Sequence, residues 1–417
     1  RDKVGSAHPV KGDNFDGNRF AAKALLDGAG FVVVDDPEIV PAGDERYILV
    51  KNGLLALQEL ARQFRETFEI PILAITGSNG KTTTKELVHA VLNTERRAFA
   101  TQGNLNNHIG VPLTLLSMPE DTEIAVIEMG ANKPKDIEEL VNIALPTHGV
   151  ITNIGQAHLE GMGGIEGVQR TKGELFDFLR AHNGIAFINE NDPLVSDAAA
   201  GIQERIAYGG GPRSPYHILR TQENDEGQFI TLKARNDTML VRINLHGRHN
   251  AENALLAVAV GQHFGISDDG IQEALASYLP RMNRSQLHRQ GDRRILLDAY
   301  NANPSSMKAT IASIAEREHA SVALVLGDMF ELGPTADELH AEIWTFARNV
   351  LPNALIIGIG PHFHRRMPQE DALMRSYASI ADAQEKINAD LEGYTFILLK
   401  GSRGMALERL LPTIGVE

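Results

Sequence analysis

A glycine-rich segment carries the clearest chemistry in the sequence. Residues 76–84 read Thr-Gly-Ser-Asn-Gly-Lys-Thr-Thr-Thr; they follow an apolar run and precede apolar residues at helical spacing. Between a strand and a helix, such glycines let backbone N–H groups face an anion, Lys81 adds a positive charge, and the hydroxyl of Thr82 can reach Mg²⁺. Because Ile75 replaces the first glycine of the longer form of this motif, a plain glycine-rich turn is the alternative. We predict a phosphate-binding loop that consists of Gly77, Ser78, Asn79, Gly80, Lys81, Thr82 and Thr83.

Polar residues follow two other apolar runs. Glu128 comes directly after residues 124–127, and His158 comes shortly after residues 150–154. Because ligands of open parallel sheets gather outside the carboxyl ends of the strands, we expect Thr82, Glu128 and His158 to converge. Hydroxyl and carboxylate oxygens with one imidazole suit Mg²⁺ or Mn²⁺ beside a triphosphate. Taken singly, Glu128 is also explained as a helix-capping carboxylate and His158 as a loop histidine.

The elements that must position these residues alternate along the chain. Short apolar, β-branched runs alternate with helical stretches, which indicates an α/β fold with parallel sheets and crossover helices. Pro and Gly punctuate this pattern near residues 70–71 and 290–291. We predict a small N-terminal α/β domain (1–70), a central domain with a P-loop-type parallel sheet (71–290) and a C-terminal Rossmann-like α/β domain (291–417). The runs predicted as strands are 72–75, 124–127, 150–154, 185–188, 239–245, 295–297, 322–326, 355–359 and 396–399, and residues 250–260 are predicted as a helix.

The composition limits the classes to which the chain can belong. Its 417 residues fit several domains at about 150 residues each. The net charge of −14 argues against a nucleic-acid-binding protein, because phosphate neutralisation needs a basic surface. The sequence has no cysteine, which excludes disulfides and Cys-ligated metals and suits a reducing compartment. Every apolar run is far shorter than the ~18 residues of a membrane span, so we expect a soluble protein.

Motifs beyond the phosphate-binding loop resemble those of the ATP-dependent Mur ligases of peptidoglycan synthesis. The resemblance covers nearly the whole chain from about Lys11. Residues 247–253, Gly-Arg-His-Asn-Ala-Glu-Asn, resemble the family's adenine-packing element, and residues 298–304, Asp-Ala-Tyr-Asn-Ala-Asn-Pro, resemble its ribose- and phosphate-holding segment. Without the resemblance, these residues are explained as a helix N-cap, a surface amide and a strand-end turn. The resemblance implies ATP contacts by Asn250, Asn253, Arg284, Asp298 and Asn303.

Three segments resemble the members of the family that add D-alanyl-D-alanine to UDP-N-acetylmuramoyl-tripeptide. They are residues 11–17, similar to a uridine-binding first domain, residues 104–113 and residues 326–333. The resemblance implies that the N-terminal domain binds the UDP substrate and the C-terminal domain the amine substrate. The segment that usually precedes the uridine motif is not recognisable in residues 1–10; the sequence lacks an initiating Met, and we expect it to start inside a longer protein. The substrate-binding residues that the resemblance implies are Asn106, Asn107, Asp328 and Glu331.

The resemblance also implies a reaction and a modified lysine. The tripeptide carboxylate would attack the γ-phosphoryl group of ATP, and the dipeptide amine would then attack the acyl phosphate. Thr82, Glu128 and His158 would hold two Mg²⁺ ions, and Lys81 and His158 would be catalytic. Lys172 stands where most Mur ligases carry a catalytic lysine carbamylated by CO₂; a solvated lysine on a helix is the alternative. We expect a cytoplasmic monomer.

Two other functions stay open at this point. A non-catalytic, nucleotide-dependent switch would also need a phosphate loop, but it would not need a second α/β domain with ligand-facing segments. A related ligase, such as folylpolyglutamate synthetase or cyanophycin synthetase, is the nearer alternative, and residues 11–17 and 104–113 disfavour it. The sequence does not say whether the tripeptide ends in lysine or diaminopimelate, or whether the domains are open or closed.

Overall fold

Three α/β units follow one another along the chain. The computed structural model describes residues 5–7, 11–12, 15–156, 158–224, 227–280, 283–316, 321–368 and 371–416. Asp13 and Asn14 of the predicted uridine-binding segment lie outside the described residues, as do most of residues 1–10. None of the helices in the described ranges has the length and hydrophobicity that a membrane crossing requires.

The N-terminal unit is small. Its parallel sheet has the strand order β1-β4-β5, and β2 and β3 form a short antiparallel pair. Val32 and Val34 are fully buried in this unit, whereas the last helix also packs on the central unit, where Ala61 joins the core and Arg65 donates to the carbonyl of Ala144 (3.1 Å). The elements are β1 (Gly5–Ala7), β2 (Lys11–Gly12), β3 (Phe15–Asp16), α1 (Ala21–Leu26), β4 (Ala29–Val34), β5 (Tyr47–Leu49) and α2 (Gly53–Glu66).

The central unit is built on a six-stranded parallel sheet of order β11-β10-β9-β6-β8-β7. Every residue of β6 and β8 is buried, as expected for parallel strands covered by helices on both faces. An antiparallel sheet, β12-β13-β14, adjoins it. The elements are β6 (Ile72–Thr76), α3 (Lys81–Leu92), β7 (Ala98–Ala100), α4 (Gly110–Leu116), β8 (Ile124–Glu128), α5 (Asp136–Ala144), β9 (His148–Ile151), α6 (Leu159–Met162), α7 (Ile165–Ala181), β10 (Ile185–Asn189), α8 (Pro193–Ala198), β11 (Glu204–Tyr208), β12 (Tyr216–Asn224), β13 (Gly227–Ala234), β14 (Asp237–Ile243), α9 (Arg248–His263) and α10 (Asp268–Ser277).

One central strand differs from its prediction. The apolar run predicts a strand over residues 150–154, but β9 ends at Ile151. Thr152 and Asn153 leave the sheet because they bond to the phosphate-binding loop instead: the hydroxyl of Thr152 donates to the carbonyl of Asn79 (2.6 Å), and the carbonyl of Asn153 accepts from the N–H of Ser78 (2.9 Å). Polar partners in the neighbouring loop therefore set the end of the strand.

The C-terminal unit contains a six-stranded sheet of order β15-β16-β20-β17-β18-β19. Its strands are parallel except for β15, which pairs antiparallel with β16. This hairpin spans the boundary that we predict at residues 290–291, and the sequence pattern did not indicate β15. The elements are β15 (Gln286–Gln290), β16 (Arg293–Asp298), α11 (Pro304–Ala315), β17 (Val322–Gly327), α12 (Ala336–Val350), β18 (Leu355–Ile359), α13 (Pro361–Arg365), β19 (Met374–Tyr377), α14 (Ile380–Gln384), α15 (Ile387–Asp390) and β20 (Phe396–Lys400).

Two neighbouring histidines, of which His148 is buried, should make the central unit sensitive to acid. His148 at the start of β9 is 8% exposed, and its Nε2 lies 3.1 Å from Nε2 of His263 near the end of α9. Burial, with the nearby His263, lowers the pKa of His148 from 6.5 to about 4. Burial also lowers the pKa of His263, and Arg235 adds to this shift. Between about pH 4 and pH 6.5, His148 is mostly protonated in the unfolded chain and mostly neutral in the folded chain. The free energy of unfolding must therefore fall as the pH drops through this window.

We expect the free energy of unfolding, measured by urea titration, to be lower at about pH 5 than at about pH 7.5, with His148 contributing about 2 kcal/mol of the loss. His148→Gln should remove that part of the pH dependence, whereas a change of the exposed His364 to Gln should keep it. An unchanged pH slope in His148→Gln would show that the pair does not sense acid.

Candidate active site

The loop between β6 and α3 needs glycine at two positions. Gly77 (φ +143°) and Gly80 (φ +79°) adopt backbone conformations that L side chains rarely adopt. A Cβ atom on Gly77 would lie 2.0 Å from Oγ1 of Thr152, and one on Gly80 would lie 3.0 Å from Oδ1 of Asn253. The glycines therefore allow both the sharp turn into α3 and the close approach of neighbouring side chains.

Neighbouring groups anchor this loop in place. The N–H of Ser78 donates to the carbonyl of Asn153 (2.9 Å), and the N–H of Asn79 donates to the side chain of Asn153 (3.0 Å). The ammonium group of Lys81 donates to the carbonyl of Gly77 (2.7 Å), so it folds back over the loop. A helix N-terminus with an adjoining lysine is suited to binding phosphate groups.

Glu128 at the end of β8 uses only one of its two carboxylate oxygens in hydrogen bonds with the described residues. The residue is 1% exposed, and its Oε1 accepts from the hydroxyl of Thr82 (3.0 Å) and the amide of Asn106 (2.8 Å). Its Oε2 lies 3.6 Å from Nζ of Lys85 but accepts no hydrogen bond from the described residues. Because a hard cation prefers such oxygen ligands, Thr82 and Glu128 fit Mg²⁺. Burial lowers the pKa of Lys81, and Glu128 opposes that shift.

His158 lies just before α6 in a left-handed conformation (φ +52°), and its Nδ1 contacts the carboxylate of Glu331 in the C-terminal unit. Burial lowers the pKa of His158; Glu331 opposes this shift, and Lys81 and Lys172 add to it. A lowered pKa favours the neutral imidazole, which is the form that binds metals. The described residues contain no group of three or more His, Asp and Glu side chains that could hold a metal ion. A metal here would therefore depend on Thr82 and on further oxygen ligands.

Lys172 lies in α7 and is buried. Its side chain is among the largest that are fully buried, and Nζ makes no hydrogen bond with the described residues. Burial lowers its pKa well below the ordinary value; the charge of Lys81 adds to this effect, and Asp136 and Glu174 oppose it. The alternative of a solvated lysine is therefore wrong.

The two asparagines at the start of α9 connect it to α3. Asn253 donates to Oδ1 of Asn250 (3.1 Å) and accepts from the hydroxyl of Thr84 (3.1 Å), and Asn250 donates to the carbonyl of His246 (2.7 Å). Both side chains are buried, and Gly247 occupies the N-cap position. The explanations of Asn250 as an N-cap and of Asn253 as a surface amide are therefore wrong.

Charged groups from residue 284 onward also lie in this region. The guanidinium of Arg284 lies 3.6 Å from the centre of the Tyr300 ring, a cation–π arrangement. Asp298 pairs with Nζ of Lys400 at the ends of the neighbouring strands β16 and β20. Burial alone would raise the pKa of Asp298, but Lys400 holds it below its ordinary value.

The C-terminal unit contacts the phosphate-binding loop directly. Asn303 caps α11, where it accepts from the N–H of Ser306 (2.9 Å), and its amide donates to Oδ1 of Asn79 (2.7 Å). The hydroxyl of Ser305 accepts from the N–H of Gln156 (3.1 Å). A ligand held by the loop would therefore lie at the junction of two units.

A cavity of about 890 Å³ lies at this junction. Of the predicted site residues, Gly77, Lys172, Asn303 and Asp328 do not line it. Sequence reasoning missed Lys85 beside Glu128, although it follows Lys81 by one helical turn, and it did not single out Tyr300. The predicted residues that line the cavity are Ser78, Asn79, Gly80, Lys81, Thr82, Thr83, Asn106, Asn107, Glu128, His158, Asn250, Asn253, Arg284, Asp298 and Glu331.

The side chain of Asp328 does not reach this cavity, contrary to the expectation from the sequence. It is 1% exposed, and its two oxygens accept from the N–H groups of His362 (3.0 Å) and Phe363 (2.9 Å) in the first turn of α13. A carboxylate at a helix N-terminus is stabilised there by the orphan N–H groups and the helix dipole. Asp328 thus joins β17 to α13.

Comparisons with known proteins agree with this arrangement. The family description "Mur ligase middle domain" matches residues 75–261, and "Mur ligase, glutamate ligase domain" matches residues 281–403. A UDP-N-acetylmuramoyl-tripeptide--D-alanyl-D-alanine ligase from Bacillus subtilis (strain 168) is 35% identical, over 97% of this chain and 88% of the relative.

Solved structures of related proteins resemble this chain over nearly its whole length. A crystal structure of MurF from Acinetobacter baumannii matches with a TM-score of 0.88 and 28% identity, over 98% of this chain and 89% of that chain. MurF ligase from Thermotoga maritima in complex with ADP matches with a TM-score of 0.86 and 27% identity, over 97% and 92% of the two chains. Together with the matched domains and the shared phosphate-binding loop, these similarities establish that the chain belongs to the Mur ligase family.

Proposed function

We propose that this chain is an ATP-dependent ligase that joins D-alanyl-D-alanine to UDP-N-acetylmuramoyl-tripeptide and releases ADP and phosphate. The observation that carries the proposal is the cavity that the phosphate-binding loop and Glu128 of the central unit line together with Asp298 of the C-terminal unit. The name of the Bacillus subtilis relative supports the choice of substrates.

The reaction must first activate a carboxylate, because its oxygen is a poor leaving group. A carboxylate oxygen of the tripeptide attacks the γ-phosphorus of ATP, the bond to the bridging oxygen breaks, and ADP leaves. The amine of the dipeptide then attacks the acyl carbon; the tetrahedral intermediate collapses, phosphate leaves and the amine loses a proton. When ATP binds, the ammonium group of Lys81 can leave the carbonyl of Gly77 and donate to phosphate oxygens instead. There its positive charge stabilises the phosphoryl group during transfer. The cavity walls must exclude water, which would hydrolyse the acyl phosphate.

We assign the cations of this reaction to Thr82, Glu128 and His158. The unsatisfied oxygen of Glu128 supports this assignment. Two Mg²⁺ ions, when bound, would neutralise charge on the phosphate oxygens. The nucleotide itself would lie against Asn250, Asn253, Arg284 and Asp298, with Asn303 fixing the loop through Asn79.

We further propose that Lys172 carries a carbamate. Its lowered pKa favours the neutral amine, whose lone pair can attack the carbon of CO₂ with loss of one N–H proton. The product replaces a buried amine with a carbamate, whose single negative charge is shared by two oxygens that are suitable ligands for hard cations. The unpaired Nζ atom supports this proposal.

The division of labour among the units is also a proposal. Residues 1–70 would bind the UDP part, residues 71–290 ATP, and residues 291–417 the amine, with Asn106, Asn107 and Glu331 on the cavity wall contacting substrate. Asp328 would act only through its backbone segment. We propose that the enzyme works as a monomer in the cytoplasm, where ATP and nucleotide-linked substrates are made.

A substrate panel tests the assignment. With UDP-N-acetylmuramoyl-tripeptide, we expect D-alanyl-D-alanine to give sustained phosphate release and D-alanine alone to give at most a trace, because only the dipeptide would fill the amine site. Folate in place of the UDP substrate should give none. Release with a single amino acid but not with the dipeptide would contradict the assignment, and release with folate would favour folylpolyglutamate synthesis.

We also expect ATP to favour a closed arrangement of the two larger units, because its contacts come from both. Small-angle scattering of the full chain should show a smaller radius of gyration with a nonhydrolysable ATP analogue and the UDP substrate than without them. In Lys81→Ala, the decrease in the radius of gyration should be smaller than in the wild type. Identical dimensions in the wild type under both conditions would count against closure.

A further inference from the structure

One contact across the junction joins two residues with unusual backbones. Nδ1 of His158, in the central unit, lies against the carboxylate of Glu331, in the C-terminal unit. His158 has φ +52° and Glu331 has φ +61°, a region that residues other than glycine seldom occupy. Such conformations persist where the surroundings hold them, and they cluster at functional sites.

The loop that carries Glu331 is fixed within the C-terminal unit. The N–H of Met329 donates to Nε2 of the fully buried His340 (2.9 Å), and the N–H of Phe330 donates to the hydroxyl of Ser402 (3.0 Å). Nδ1 of His340 in turn donates to the carbonyl of Ala336 (2.6 Å). Because the two residues before Glu331 are bonded to the C-terminal unit and Leu332 after it is buried in the core of that unit, the position of the Glu331 carboxylate follows the position of the whole C-terminal unit.

The segment that carries His158 also packs against the C-terminal unit. Leu159, the first residue of α6, contacts the hydrophobic core of that unit. Next to it, a Cβ atom on Gly333 would lie only 3.2 Å from Cβ of Glu160. Docking of the two units therefore brings His158 and Glu331 together.

We propose that Glu331 is a positioning residue for His158. In this role its carboxylate, which lies against Nδ1, would accept the Nδ1–H of the imidazole and so fix the tautomer whose Nε2 lone pair is available to a divalent cation. Histidines that bind metals commonly donate their other ring N–H to a carboxylate in this way, and loss of that partner typically weakens metal binding by ~10- to 100-fold. Since the carboxylate comes from another unit, the imidazole is oriented for the cation only while the C-terminal unit is docked. This inference rests on the proposed function, because it takes His158 as a ligand of the cation that accompanies ATP.

The experiment is a titration of the full chain with Mn²⁺ in the presence of ADP, with free Mn²⁺ read by electron paramagnetic resonance. Glu331→Ala should weaken Mn²⁺ binding about 10-fold. Glu331→Gln should stay closer to the wild type, because its carboxamide oxygen still accepts the Nδ1–H. Glu338→Ala, which removes an exposed glutamate of α12, is the matched control and should bind as the wild type does.

A double-mutant cycle decides whether Glu331 acts through the imidazole. In a His158→Ala background, Glu331→Ala should cause no further loss of Mn²⁺ affinity. Equal Mn²⁺ affinity of Glu331→Ala and the wild type, or the same loss in both backgrounds, would overturn the inference. If the wild type formed no amide but the double-mutant cycle gave the expected result, the proposed function would be wrong and the role of Glu331 in positioning His158 would stand. If the wild type formed the amide but Glu331→Ala bound Mn²⁺ normally, the proposed function would stand and the positioning role of Glu331 would be wrong.

Discussion

Replacing Lys81 by alanine should lower the rate of ADP release by at least ~10³-fold, the range seen when a cationic group that stabilises a transferring phosphoryl is removed. The ammonium folds over the phosphate-binding loop and bonds to the carbonyl of Gly77, so its removal takes positive charge from the place where phosphate would lie. It takes little from the hydrophobic core, because among the described residues Nζ of Lys81 donates only to carbonyls of its own loop. Thermal unfolding should therefore stay close to that of the wild type.

The control for this change is Lys386→Ala, which removes an exposed lysine of the C-terminal unit and should leave the rate unchanged. A steady-state assay of ADP release with all three substrates, beside a thermal melt, measures both quantities. Turnover of Lys81→Ala near the wild-type rate would remove the basis for a phosphate site in this loop.

Replacing Lys172 by alanine should make the enzyme nearly inactive, with a loss of ~10³-fold if the carbamate supplies the oxygens that the cations lack. The vacated space should admit a small carboxylate, so added formate or acetate should restore part of the rate. An unmodified lysine at this buried position would supply no anionic oxygen to the cations, and in its protonated form it would repel them.

Rescue is the specific part of this prediction, because a merely structural role of Lys172 would not respond to formate. Lys81→Ala should show no rescue under the same conditions. Incubation of the wild type with ¹³CO₂ should give a carbamate carbon signal that Lys172→Ala lacks. Normal activity of Lys172→Ala, or no carbamate signal in the cation-loaded wild type, would contradict the proposal.

The sequence predicts the phosphate-binding loop at the centre of this site because the backbone geometry of neighbouring residues determines the structure of the loop. The glycines at 77 and 80 are needed by their own backbone angles, and Lys81 must begin the helix that follows. The strands that are buried on both faces read as continuous apolar runs, so β6, β8, β17 and β20 are predicted close to their observed bounds. The resemblance to the Mur ligases supplied the more distant residues at the start of α9 and the end of β16.

The sequence could not predict the features that depend on contacts with residues far away along the chain. The end of β9 depends on bonds from Thr152 and Asn153 to a loop far away in sequence, and β15 exists because it pairs with β16. Asp328 carries no local mark that its oxygens cap α13 and so turn away from the cavity. The contact between His158 and Glu331 likewise depends on how two units dock.

The most direct test of the central claim follows an oxygen atom. UDP-N-acetylmuramoyl-tripeptide labelled with ¹⁸O at both oxygens of its terminal carboxylate is incubated with the full chain, ATP, Mg²⁺ and D-alanyl-D-alanine, and the masses of the products are measured by mass spectrometry. If the carboxylate attacks the γ-phosphoryl group and the amine then displaces phosphate, each molecule of amide product should be matched by one inorganic phosphate that carries one ¹⁸O atom. Amide product with unlabelled phosphate, or ADP release without any amide, would contradict the account.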